Sequence, residues 1–169
     1  MFGTKLMWPW LNVMLANSTN PCQEHHQLLE KILPSARYIY VSRRDRVGQA
    51  ISLIRAMETN EWIALKNDPI GENHSWPKGI DPGRIHRTML SLLFDNLAWK
   101  QQFSKGRIEH LSIIYEDLVE NTRVVMESVG RYLAGESFVL RSVTTNILMQ
   151  RDANTEAIRN EFLSSPTVK

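Results

Sequence analysis

At 169 residues, of which 43% are hydrophobic, the chain fits one globular domain of ordinary composition. A formal net charge of +2 is too small to indicate a nucleic-acid partner, and the single cysteine excludes an internal disulfide framework or a cysteine-rich zinc site. The single cysteine favours a reducing, cytoplasmic setting, and we expect no metal. No apolar run approaches the roughly 18 residues of a membrane-spanning helix, so we expect no transmembrane segment.

The first half of the chain predicts two strands and two helices. Residues 2–8 are typical of a buried strand and its exit. Residues 23–33 carry leucines at helical spacing and predict a surface helix. The aromatic and β-branched segment 36–42 predicts a strand. It leads into a helix with an apolar stripe over residues 47–57, for which Asp45 is a candidate cap.

The second half of the chain continues the alternation of predicted strands and helices. The proline- and glycine-rich segment 67–82 is longer than most connections in compact domains, which favours a loop or lid on the substrate side. A long amphipathic helix is predicted over residues 85–103, followed by a strand at 110–115 and a helix at 124–133. Strands separated by helices favour a single α/β domain over residues 1–169, with a three-layer arrangement of a parallel sheet flanked by helices.

Ligands of such sheets bind where the carboxyl ends of the strands open into loops, and Arg43 and Tyr115 lie at such ends. Arg43 and Arg44 leave a strand, and Ser52 follows about two helical turns later. Guanidinium groups, a helix amino end and a hydroxyl together are suited to a phosphate dianion. On pattern alone, a solvated basic patch explains the arginines equally well. The acids that would balance this patch are Asp45, Glu58 and Glu61.

Several strings resemble the bacterial trehalose-type sulfotransferase family, whose members use 3′-phosphoadenosine-5′-phosphosulfate. The resemblance covers most of the chain. The matching segments are Gly3 to Trp8, Arg43 to Ala56, Thr59 to Trp62, Ala98-Trp99 with Phe103, and Ile114 to Leu118. The first two strings are fairly specific together, whereas the last recurs across many sulfotransferases.

The resemblance implies which residues bind the donor. Arg43 and Ser52 would bind its 3′-phosphate, with Arg44 as a second candidate because the corresponding spacing in the wider superfamily is one residue shorter. Tyr115 would lie near the adenine, or is a core tyrosine at a strand end. Arg151 belongs to a short match with a late segment that lies near the donor phosphate.

The same resemblance implies a carbohydrate or glycolipid acceptor. Arg55 would face this acceptor, or forms an ion pair with Glu58 one turn later. Trp62 could stack on a sugar, as could Trp76 and Trp99, although such aromatic residues are also common in cores and dimer contacts.

In this family the phosphosulfate is held by a strand-loop-helix that contains Arg, Ser and Gly, and none of the glycines here has that setting. We therefore expect a P-loop-like sulfotransferase fold that lacks its N-terminal strand-loop-helix and its catalytic base, both upstream of Met1. Such a truncated chain would be inactive and could form a homodimer through uncovered apolar surface. The alternative is a non-catalytic nucleotide-binding or interaction module. A kinase-like NTPase is disfavoured, since the chain has no Gly-x-x-x-x-Gly-Lys-Ser/Thr motif.

Overall fold

The computed structural model describes residues 3–18, 24–62, 80–144 and 153–165. Helices and strands alternate along these ranges. In chain order they are α1 Trp8–Ala16, α2 His25–Ile32, β1 Tyr38–Ser42, α3 Arg46–Thr59, α4 Pro82–Lys105, β2 His110–Ile114, α5 Tyr115–Glu120, α6 Thr122–Ala134 and α7 Ala153–Ser164. The chain divides into two compact units, the first formed by Met1–Ser42 and Leu93–Val139 and the second by Arg43–Leu92 and Leu140–Lys169.

The described strands form a two-stranded parallel sheet in the first unit. Its register pairs Tyr38 with His110 at one end and Ser42 with Ile114 at the other. The mixed α/β class and the parallel pairing are therefore confirmed, while the larger three-layer sheet stays a prediction. Because both strands end in register, the chain leaves them at the same sheet edge.

The first unit has an apolar core between α1, α2 and the second half of α4. Leu11, Leu28 and Leu29 are buried there, and Trp8 and Trp99 pack against them. The leucines of α2 are the ones whose helical spacing predicted this helix. Trp99 therefore contributes to the core of this unit.

The second unit buries one face of α3. The predicted stripe is confirmed for its first four members, since Val47, Ala50, Ile51 and Ile54 form one cluster with Ile85 and Phe162. Met57, the last member, is exposed instead. Phe162 comes from α7, which packs against α3. This helix at the end of the chain therefore completes the core that holds α3 in place.

The amino-terminal strand prediction was wrong over the described residues. Residues 3–7 belong to no helix or strand, and helix α1 begins at Trp8 with Pro9 in its first turn. Proline is well suited to that position because its fixed φ matches the helix and its missing N–H has no intrahelical acceptor there. Gly3, Thr4 and Lys5 are exposed. A strand needs a partner for its backbone groups, which an apolar pattern alone does not supply.

The predicted lid lies mostly outside the described residues. Of the segment 67–82, the described part is Ile80 to Pro82, where α4 begins. The single-domain boundary of 1–169 stays a prediction. Within the described ranges, no helix combines the length and the apolar character needed to cross a membrane.

Candidate functional site

The amino end of α3 is a tightly built turn. β1 ends at Ser42, and after three residues α3 begins at Arg46, with Asp45 as its N-cap. The Asp45 carboxylate accepts a hydrogen bond from the backbone N–H of Gly48 at 2.9 Å. This is the predicted cap, and it satisfies one of the N–H groups that a helix leaves open at its amino end.

Glycine is required at position 48 by this cap. A Cβ atom there would lie 2.5 Å from Oδ2 of Asp45, inside van der Waals contact. The carboxylate therefore lies directly against the helix backbone.

A residue that the sequence analysis did not identify also contacts the cap. The Nε atom of Arg159 on α7 lies 3.6 Å from Oδ1 of Asp45, and the two side chains are 31% and 16% exposed. Arg159 follows Asp45 by more than a hundred residues, so helical spacing could not have paired them. The detectable signal was the spacing of Thr155, Ile158 and Phe162, which indicates a helix with one packed face.

Helical spacing places further candidates on the same side of α3. Asp45, Gly48, Ser52 and Arg55 are separated by three, four and three residues, so each lies about one turn beyond the previous one. Ser52 is half-buried. The structure therefore aligns the candidate hydroxyl with the capped end of the helix.

The two arginines that precede the cap differ in exposure. Arg43, directly after β1, is half-buried, whereas Arg44 is exposed. Half-burial of a guanidinium strengthens its electrostatic interactions because water screens it less. Solvent therefore screens Arg43 less than Arg44, and the choice between them for a phosphate stays a prediction.

Arg55 occupies an unexpected environment. Its side chain is only 3% exposed, although the sequence suggested a residue open to the acceptor or paired at the helix surface. Glu58, the proposed partner, forms an ion pair with Arg84 of α4. A buried arginine in the same row as Ser52 adds positive charge to this side of α3.

The remaining candidates are not members of this row. Trp62 is 55% exposed, and its indole N–H donates to Oδ1 of Asn60 at 3.3 Å. Tyr115 begins α5, directly after the strand residue that pairs with Ser42, and is half-buried in the first unit. Arg151 lies outside the described residues.

A cavity of about 440 Å³ lies at the opposite end of the sheet in the first unit. Its walls include the residues that enter the two strands, among them Arg37, Tyr38 and Glu109. It is therefore not formed by the carboxyl ends of these strands. The described part of the chain contains no group of three or more histidine, cysteine, aspartate or glutamate residues that could hold a metal ion.

The arrangement at the amino end of α3 is chemically suited to an anion. Backbone N–H groups and the helix dipole supply partial positive charge, and Arg43, Arg44 and Arg159 supply full charges. In comparisons with known proteins, the sequence model of the family described as Stf0 sulphotransferase matches residues 1–160. No curated protein matches the chain.

Proposed function

The chain belongs to the Stf0 sulphotransferase family, and from this premise we propose that it binds 3′-phosphoadenosine-5′-phosphosulfate as the donor for transfer to a carbohydrate or glycolipid hydroxyl. The family expected from the sequence motifs is confirmed, and sulfuryl transfer is the chemistry of that family. In such a transfer the acceptor oxygen forms a bond to sulfur while the bond between sulfur and the donor's phosphate oxygen breaks. A base takes the proton of the acceptor hydroxyl.

The capped amino end of α3 is the observation that carries this proposal. Arg43 leaves β1 half-buried, and Ser52 lies two turns along the helix on the side that carries the cap and Gly48. Such an end offers N–H donors, a favourable dipole and a guanidinium to one phosphate group. We assign Arg43 and Ser52 to the donor's 3′-phosphate, with Arg44 as the alternative arginine.

The other assignments complete the proposal around this phosphate. Tyr115 is assigned to the adenine and Arg151 to the neighbourhood of the donor phosphate. Arg55 and Trp62 are assigned to the acceptor. The exposed indole of Trp62 supports stacking on a sugar, whereas Arg55 is buried and its assignment rests on the family resemblance alone.

The residues present fit the 3′-phosphate end of the donor and not its phosphosulfate end. Among the residues that the structure describes, no Arg/Ser/Gly loop joins a strand to a helix in the way that would stabilise charge on the moving sulfuryl group. We therefore propose that this chain by itself binds the nucleotide without turning it over. The same observation favours the second candidate function, a non-catalytic nucleotide-binding module.

Titration calorimetry with adenosine 3′,5′-bisphosphate tests the assignment. Arg43→Ala removes a charged donor, so we expect roughly tenfold weaker binding or more, and Ser52→Ala removes a hydroxyl, for which about fivefold is expected. Arg44→Ala decides between the two arginines. Adenosine 5′-monophosphate, which lacks the 3′-phosphate, should bind all variants alike.

Arg84→Ala is the matched control, because it removes an arginine that pairs with Glu58 near the carboxyl end of α3. It should leave bisphosphate binding unchanged. Identical heats for the wild type, Arg43→Ala and Arg44→Ala would overturn the site.

A further inference from the structure

The carboxylate of Asp45 places a negative charge at the helix end that is proposed to bind a phosphate. Asp45 lies at the amino end of α3, directly against the backbone of Gly48. The negative charge of this carboxylate repels a phosphate and reduces the contribution of the helix dipole. A cation that offsets the carboxylate without displacing it from the cap therefore favours phosphate binding at this end.

Arg159 is such a cation by its position. Its Nε atom is buried and lies 3.6 Å from Asp45 Oδ1, close enough for an ion pair. The same oxygen accepts the capping hydrogen bond from Gly48, so the arginine adds charge compensation while the cap remains formed. Both side chains are largely withdrawn from solvent, which weakens screening of the pair.

The backbone of Arg159 is held in place by the packed face of α7. Thr155 lies about one turn before it and Phe162 about one turn after it, and their side chains are only 6% and 3% exposed. Phe162 joins the core cluster that contains Val47 and Ile51 of α3. The ion pair therefore has a rigid support, and formation of that core sets the distance between the arginine and the cap.

We propose that Arg159 is a positioning residue of the phosphate site, which acts by neutralising Asp45 so that the amino end of α3 accepts the donor's 3′-phosphate. This inference rests on the proposed function and adds a residue to it from a distant part of the chain. It also gives α7 a role beyond packing. Arg159 acts through Asp45 and is not assigned a contact with the nucleotide.

Adenosine 3′,5′-bisphosphate binding by the full chain tests this role. We expect Arg159→Gln to weaken binding about fivefold, and Arg159→Lys, which keeps the charge, to weaken it less. The decisive variant is the double substitution Asp45→Asn with Arg159→Gln. Asparagine caps a helix as well as aspartate but carries no charge, so binding should return to within about twofold of the wild type. A purely structural role of Arg159 gives no such rescue.

Arg84→Gln serves as the matched control, since it also breaks an arginine ion pair to α3 but lies far from the cap. It should leave affinity unchanged. If binding requires Arg43 or Ser52 but is equal in the wild type and Arg159→Gln, this inference is overturned and the proposed site stands. If Arg159→Gln weakens binding and Asp45→Asn does not restore it, the inference is overturned as well. Failure of the wild type to bind would overturn both.

Discussion

At the scale of single residues, one carboxyl group on α4 shows how the fold changes side-chain chemistry. Partial burial raises the pKa of Asp95 above its ordinary value. A raised pKa means that the folded state favours the neutral acid more than the unfolded state does. The ionised carboxylate therefore costs stability, and this cost is absent at low pH and develops as the pH rises through the folded-state pKa.

Replacing this group with a neutral one is expected to stabilise the protein at neutral pH. Asp95→Asn removes the charge with little change in helix propensity, so the free energy of unfolding should rise by well under about 1 kcal/mol, given the partial exposure. Urea unfolding at about pH 7.5 and about pH 4.5 measures the difference, which should shrink at the lower pH. Glu120→Gln, at an exposed position on α5, is the control. An equal gain at both pH values would contradict the assignment.

Arg55 shows, also at the scale of single residues, that the sequence does not predict how deeply a side chain is buried. Its spacing from Ser52 was readable in the sequence and predicted a shared side of the helix. The burial of Arg55 was not readable in the sequence, because burial depends on which other segments cover α3. A charged residue is ordinarily expected at the surface. The sequence can thus nominate the residue, while its partners follow from tertiary packing.

At the scale of secondary-structure elements, α3 combines a capped end, a packed face and the side that carries the proposed site. Its apolar stripe faces the core, and the row that includes Gly48 and Ser52 lies beside it. The cap fixes where the helix begins and therefore where its free N–H groups are presented. The stability of this one turn thus bears directly on the geometry of the proposed phosphate site.

Removing the cap tests its contribution. Asp45→Ala eliminates the carboxylate that accepts from Gly48, and we expect a loss of about 1 kcal/mol in the free energy of unfolding. Asp45→Asn preserves the acceptor and should retain most of the stability. Thermal and urea unfolding monitored by circular dichroism measure both variants. Equal destabilisation by alanine and asparagine would show that the charge of Asp45, and not the cap, supplies the stability.

Elements whose pattern is local in the sequence were predicted correctly, and one that depends on a distant partner was not. Helices with long periodic stripes, such as α2 and α3, were predicted from spacing, and β1 from its β-branched and aromatic residues. The segment at residues 3–8 was misassigned because strand formation depends on a partner that local sequence does not reveal. On α4 the helix was predicted correctly, yet Leu93 and Leu97 of its stripe are exposed, since no described neighbour buries them fully.

At the scale of the whole molecule, each compact unit has its own buried cluster and its own part of the proposed chemistry. The second unit contains Arg43, Ser52 and Arg159, and the first contains the parallel strands and Tyr115. The motifs predicted the family correctly because the residues that carry them are contiguous along the chain. Arg159 was not identified from the sequence because it is close to its partner, Asp45, only in the folded chain.

The activity of the whole chain is the last expectation to be tested. We expect the purified 169-residue protein to bind adenosine 3′,5′-bisphosphate but to transfer no sulfuryl group to trehalose or related sugars above background. Each oxyanion-stabilising donor typically contributes about two to three orders of magnitude in rate, and the sequence contains no loop that would supply several of them. Donor carrying labelled sulfur gives the most sensitive assay. Turnover that disappears in Arg43→Ala would contradict this expectation, and would mean that residues other than a glycine-rich loop hold the phosphosulfate.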